Sequence, residues 1–268
     1  MMPKVTARWS AMTTLLSPAV HAEQRRFMGR GPTIAGKKSA TDAKKTILFG
    51  KLAKELTFIS KSVNGDVNNI RLESVIIKAK TSNMPRDKIE AAVKRGVDGK
   101  AGAITETVLY EATGPNGSAL IIEALTDNRK RTAPALRHIL SKNGGNLGAN
   151  GSVAWMFERK GYLEVNQPEE GSAVAWNEDS VMNVAIEAGA DDMEFRDAVA
   201  QITCDVNDLA AVRTHLNDMG LHPHVCSMIY NPKEFIDLTG DAADAFHGLI
   251  DALDDNEDVN EVYHNVNE

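Results

Sequence analysis

The sequence predicts an α+β chain of several domains: a basic three-helix domain, then two α/β domains, one inserted in the other. Three observations carry this. Apolar residues recur at helical spacing up to residue 96 and at strand-like spacing from residue 107. Charge divides at the same place, because residues 1–96 hold 19 Lys and Arg against 7 Asp and Glu, while the rest holds 11 against 30. After residue 159 the segments run βαββαβ, and beyond 231 the chain supplies pieces missing from a sheet begun at 107.

A chain of 268 residues is long enough for about two or three domains, and its 43% hydrophobic content can fill their cores. The two cysteines, Cys204 and Cys226, are too few for a disulfide framework and suit a reducing compartment. The net charge of −7 conceals a head of +12 on a body of −19. Such a head is expected to meet a polyanion while the acidic body maintains solubility.

Residues 1–27 carry Thr6, Ser10, Thr13, Thr14, Ser17, Lys4 and Arg8 with almost no acid, the composition of a mitochondrial transit peptide. Arg25-Arg26-Phe27 ahead of Met28 is the expected processing site, which places the mature protein in the mitochondrial matrix. The leader contributes only +3 of the head's charge. No apolar run approaches the ~18 residues of a membrane span.

The basic helical domain is expected over 28–98. Leu48, Leu52, Leu56 and Ile59 define a helix over 41–62, ended by Asn64-Gly65-Asp66. Leu72, Val75, Ile76 and Ala79 start a second helix. A third follows Asn83-Met84-Pro85, with Ile89, Ala92 and Val93 inward and Gly96 as its stop. The apolar stripe reads as core; the cations Lys37, Lys38, Lys44, Lys45, Lys51, Lys54, Lys78, Lys80, Arg86 and Lys88 are candidate phosphate contacts.

A linker over 96–103 leads to strands at 107–113 and 118–125, joined by the hairpin signal Gly114-Pro115-Asn116-Gly117. The next stretch is the most informative. Between Asp127 and Glu158 no acid occurs, where composition alone predicts about four. Thr132 is placed to cap a helix with Pro134 in its first turn and Ala133, Leu136, Ile139 and Leu140 on one face. Arg129, Lys130 and Arg131 then precede the helix, Arg137 points off its apolar face, and Lys142 leads into a loop with glycines at 144, 145, 148 and 151. The loop lacks the lysine of a nucleotide-binding P-loop and opens no GxGxxG helix. Two readings fit: bare backbone at Gly144, Gly145 and Asn146 lying close to a sugar-phosphate chain with the cations around it, or a glycine hairpin that only turns the chain beside a solvated basic helix face. Val153–Phe157 reads as a buried strand.

Beyond it come a strand at 161–166, a helix at 178–188, strands at 192–196 and 199–204, a helix at 206–219 and a strand at 223–230. This is the ferredoxin-like pattern. A strand at 234–238, a helix at 241–254 and a strand at 258–266 return to the earlier sheet. The expected domains are therefore 28–98, 104–158 with 232–268, and an inserted 159–231.

Catalytic apparatus is not visible, and neither an enzyme activity nor a cofactor is expected. His222, His224 and Cys226 would share one strand face but lack a fourth ligand at a convincing spacing, so no metal is assigned. Asp254-Asp255-Asn256-Glu257-Asp258 lacks the glycine and terminal glutamate of a calcium loop and reads as an acidic helix end.

The segments SNMPRDKIEAAVKRG at 82–96, YEATGPNG at 110–117, EALTDNRKRTAPALRH at 123–138 and SKNGGNLGANGSVAWMFERKG at 141–161 resemble the YebC family. The family includes mitochondrial translational activators of cytochrome c oxidase. The resemblance runs from about residue 41 to near the C-terminus, and implies a helical basic domain followed by two ferredoxin-like α/β domains. It departs at 29–38, GRGPTIAGKK, where the family opens with a GHSKW-like segment carrying an aromatic residue. It also implies a factor associated with the ribosome and RNA that helps translate difficult nascent sequences, proline-rich ones among them; the protein is expected to be a monomer. The alternative it offers is a DNA-binding transcriptional regulator. The translation reading is preferred because the leader points to an organelle and because the off-stripe cations are chiefly Lys, which holds phosphate but specifies few bases.

Overall fold

The computed structural model describes residues 32–99, 105–167, 175–196 and 199–267, with side chains from residue 42 onward. The leader over 1–27 and the side chains of Lys37 and Lys38 lie outside the described residues. Residues 40–268 form one compact unit, which is described below.

Helix α1 (Pro32–Ser62) begins earlier than the apolar stripe required, whereas α2 (Ile70–Thr81) and α3 (Arg86–Val97) fall close to their predicted positions. Asn69 caps α2 by accepting from the Arg71 N–H, which satisfies one of the donors left over at a helix start. Leu52, Leu56, Leu72, Val75, Ala79, Met84, Ile89 and Ala92 form the buried core of the bundle. Each large aliphatic side chain buried there contributes about 1.5–3 kcal/mol. Gly96 is not the stop that was expected. It is buried inside the last turn of α3, where a Cβ would lie 2.6 Å from the Thr57 carbonyl oxygen and 2.8 Å from Ser60 Cβ. The missing side chain lets α3 cross α1 at backbone contact, and the Ser60 hydroxyl donates to the Val93 carbonyl across that crossing, at 2.7 Å.

The first sheet opens with β1 (Glu106–Thr113) and β2 (Ala119–Thr126), an antiparallel hairpin whose turn holds Asn116 and Gly117 at φ of 53° and 78°. The short β3 (Asn146–Leu147) pairs with β1, and β8 (Val259–His264) pairs with β2, giving the order β3-β1-β2-β8. Helices α4 (Arg129–Lys142) and α7 (Asp241–Asp254) cover one face through Leu136, Leu140, Phe246, Leu249 and Leu253. The predicted strand at 234–238 is reduced to a single parallel bridge between Ile236 and Val266.

The second sheet is built from β4 (Phe157–Asn166), β5 (Asp192–Arg196), β6 (Val199–Cys204) and β7 (Pro223–Pro232), in the order β5-β6-β4-β7 with every neighbour antiparallel. Helices α5 (Glu178–Ala188) and α6 (Leu209–Asp218) close its core over Leu163, Val165 and Ile202. This is the ferredoxin-like arrangement that the βαββαβ order requires. The sheets meet through Ala119, Ile121, Val153 and Phe157, with Tyr230 and Tyr263 edge to face at 5.4 Å. The helical bundle packs on both: Ile70 reaches the second core, and Glu73 of α2 pairs with Arg213 of α6.

Candidate nucleic-acid interface

Helix α4 is capped by Asn128, whose side chain accepts from the Lys130 N–H. The expected cap, Thr132, lies a turn further in and is buried, with its hydroxyl 2.8 Å from Thr126 Oγ1 and 3.0 Å from the Asp258 carboxylate. Arg129, Lys130 and Arg131 therefore belong to the first turn of the helix and do not precede it. Pro134 lies inside the helix, beyond the first turn and on the exposed side, where it removes one helical N–H donor.

The cations of this helix divide into two groups. Arg129 is bound bidentately by Glu106, and Arg131 by Asp258 at 3.0 Å and Asp127 at 2.9 Å. Lys130, Arg137 and Lys142 are exposed and have no ion pair among the described residues. With His138 and Ser141 they occupy the outward face of α4, opposite Thr132, Leu136 and Leu140.

In the helical bundle most candidate cations are engaged within the chain. Lys44 reaches Asp251 at 3.3 Å, and Lys51 donates to the Asp254 carbonyl at 2.5 Å. Lys54 donates to the Leu125 and Glu257 carbonyls and to Asp258, at 3.3, 3.1 and 3.1 Å. Lys78 pairs with Glu261, Arg86 with Glu90, and the Lys88 ammonium sits 5.4 Å from the Phe49 ring centroid. Lys45 and Lys80 are exposed without an ion pair among the described residues. The acidic element that meets the head is thus the chain's own α7–β8 segment, a partner that the charge count could not name.

That junction is electrostatically uneven. Burial would raise the Asp258 carboxyl, but hydrogen bonds from Lys54, Arg131 and Thr132 outweigh it and hold Asp258 below its ordinary range. Nearby, burial raises Glu55, Glu123 and Asp254. Burial also works against the charge on Lys78, yet Glu261 and Glu55 outweigh it and raise the ammonium.

The glycine loop is more ordered than bare backbone. The Glu111 carboxylate, from β1, accepts the N–H groups of Gly151, Val153 and Ala154 at 2.6, 2.7 and 2.8 Å. These amides are therefore closed to a phosphate: the sequence showed the acid-free loop but not the carboxylate that fills it. Burial raises Glu111, and the backbone donors outweigh it and depress the carboxyl. Gly145 packs where a Cβ would meet the Thr113 carbonyl oxygen at 2.6 Å, so its role is close chain approach. Gly144, at φ 77°, and Asn146 are exposed. Val153–Phe157 is not a buried strand either. Residues Ala154–Met156 form a 3-10 turn that turns Trp155 outward, 68% exposed, with its indole N–H donating to the Ser152 carbonyl. An apolar run such as VAWMF resembles a strand until the glutamate that folds it into a turn is located.

Of the metal-like residues, His224 faces Glu164 at 3.2 Å and His222 lies 2.9 Å from Asn217. Among the described residues no group of three or more His, Cys, Asp or Glu is placed to hold a metal ion. Among them, too, no helix is long and apolar enough to cross a membrane.

Comparison with known proteins agrees with this architecture. Residues 30–99 match the TACO1/YebC N-terminal domain, and residues 105–266 match the TACO1/YebC second and third domain. The chain belongs to the TACO1/YebC family. A probable transcriptional regulatory protein of Desulfosudis oleivorans is 42% identical over 235 residues, covering 87% of this chain and 93% of the relative. A similarly named protein of Treponema denticola is 41% identical over 236 residues, covering 87% and 93%. The crystal structure of a conserved hypothetical protein from Aquifex aeolicus is similar with a TM-score of 0.72 and 34% identity, covering 84% of this chain and 91% of that one. The Desulfosudis and Treponema relatives carry regulatory-protein names.

Proposed function

We propose that the protein is a non-enzymatic, RNA-binding translation factor that associates with the ribosome and supports synthesis of particular proteins. Proline-rich chains and cytochrome c oxidase subunits are the candidate products, and the mitochondrial matrix is the proposed location. The observation that carries this reading is the outward face of α4. Lys130, Arg137 and Lys142 stand there exposed and unpaired among the described residues, and lead into a loop that Glu111 holds rigid. Three cations on one helical face suit a phosphate backbone. The bundle contributes Lys45 and Lys80, which the internal ion pairs leave exposed.

Ribosome profiling beside RNA sequencing, in cells with and without the protein, tests the reading. Stalled ribosomes at constant transcript level are expected, with Lys142→Glu reproducing the loss. Altered transcripts at unchanged ribosome occupancy would refute it. N-terminal sequencing of the mature protein checks the location: a start near residue 28 is expected, and an intact Met1 on cytosolic protein would overturn it.

The second reading, a DNA-binding transcriptional regulator, is favoured by the names of the relatives. Footprinting separates the two, because a preferred duplex site is required only by the second.

A further inference from the structure

Trp155 is an exposed tryptophan on a rigid support. The 3-10 turn that carries it is fixed from behind by three backbone N–H groups donating to Glu111, and its own indole N–H is used by the Ser152 carbonyl. The polar edge of the ring is thus satisfied locally, and its π-face is what remains for a partner. Lys233 brings positive charge to the base of the turn: its ammonium donates to the Trp155 carbonyl at 3.0 Å and its backbone N–H to the Met156 carbonyl at 2.9 Å. Two residues further on, Phe235 is 59% exposed. Two large aromatic surfaces therefore stand on adjoining chain segments. Along the chain, the loop to Trp155 begins at Lys142, at the end of the basic face of α4.

A water-exposed indole that spends its N–H internally gains little from hydration and much from stacking. We infer that Trp155 is a stacking platform for the unpaired bases of single-stranded RNA whose phosphates are held by Lys130, Arg137 and Lys142, the exposed Phe235 lying on the adjoining chain segment. Charge selects this occupant over an apolar protein surface. Residues 128–157 contain no acid, and Glu111, the carboxylate in contact with the turn, is consumed by backbone amides on its inner side. Glu158 pairs with Lys160 at 3.7 Å, and the exposed Glu234 lies next to Phe235, so positive charge prevails on the α4 side of Trp155. Duplex RNA fits poorly, since its bases are already stacked on each other. Gly151, at φ 85°, has open space around the place of a Cβ, so a nucleotide can approach the turn from that side.

The inference rests on the proposed RNA-binding function, and the experiment separates the two. In the full chain, Trp9→Phe and Trp176→Phe leave Trp155 as the sole tryptophan, whose emission is read apart from that of the tyrosines. The probes are a single-stranded 12-nucleotide oligoribonucleotide, the same sequence as a duplex, and inorganic polyphosphate. Quenching of Trp155 is expected with the single strand alone. Trp155→Ala should weaken single-strand binding roughly ten-fold, in line with the loss of one base–aromatic stack. Trp155→Phe should restore most of it, and Lys142→Glu should weaken single-strand and polyphosphate binding alike. Because the ring is exposed, Trp155→Ala is expected to melt as the parent does. Single-strand binding that is sensitive to Lys142→Glu but leaves Trp155 emission unchanged and ignores Trp155→Ala would overturn the platform and keep the RNA-binding function. Absence of any single-strand binding would overturn both.

Discussion

Replacing Asp258 by Asn removes one charge from the point where the helical bundle and the first sheet are tied together. The carboxylate is 5% exposed and accepts from Lys54, from Arg131 and from the buried Thr132. A buried ion pair broken on one side costs about 3–5 kcal/mol when the remaining charge has no access to water. Here Arg131 is half exposed and Lys54 about one-third, so both can turn toward solvent and that figure is an upper bound. The buried Thr132 and Thr126 hydroxyls cannot turn away and lose part of a hydrogen-bond network worth about 1–3 kcal/mol. The expected loss is about 2–3 kcal/mol, or a fall in melting temperature on the order of 5–10 °C for a unit of this size. Calorimetry measures it, and hydrogen exchange should localise the loosening to β8 and to α1 around Lys54. The sign with pH follows from the depressed Asp258 carboxyl, whose stabilisation is present above its ordinary value of 3.8 and is lost as pH falls below it. The difference between parent and variant should therefore be full at pH 7 and shrink below about pH 4. A variant that melts within about 1 °C of the parent at pH 7 would show that Asp258 does not tie bundle to sheet.

Glu55→Gln should act in the opposite direction. Burial raises this carboxyl, so its charge destabilises the fold above its ordinary value of 4.5; the variant should melt higher at pH 7 and lose that advantage in acid. Glu111→Ala should speed hydrogen exchange at Gly151, Val153 and Ala154 while lowering the global melting temperature little, because the loop lies at the sheet edge; unchanged protection there would contradict the assigned hydrogen bonds. Gly96→Ala should cost about 1–3 kcal/mol by forcing α3 away from α1, read by chemical denaturation; a neutral effect would mean that the helices do not touch at backbone.

Local pattern alone was enough for the ferredoxin-like unit, because strand alternation and helix periodicity at 161–166, 178–188 and 192–196 need no distant partner to be read, whereas the predicted strands at 153–157 and 234–238 of the first sheet did not form as read. The acid-free stretch over 128–157 likewise marked α4 and its loop from composition. What the sequence left open are matters of partnership. Whether Lys54 faces a ligand or Asp258 depends on chain 204 residues away, which no local count can register. Gly96 looks like a helix stop until Thr57 and Ser60 of another helix are brought against it. Trp155 looks like core until Glu111, 43 residues before Ala154, gathers the backbone amides into a turn. Periodicity reports which face of an element is apolar, a property of neighbours in sequence. The partner of each charge, and the ring left facing water, are set by the tertiary structure, because long-range electrostatics and backbone hydrogen bonding act between segments that the chain keeps far apart.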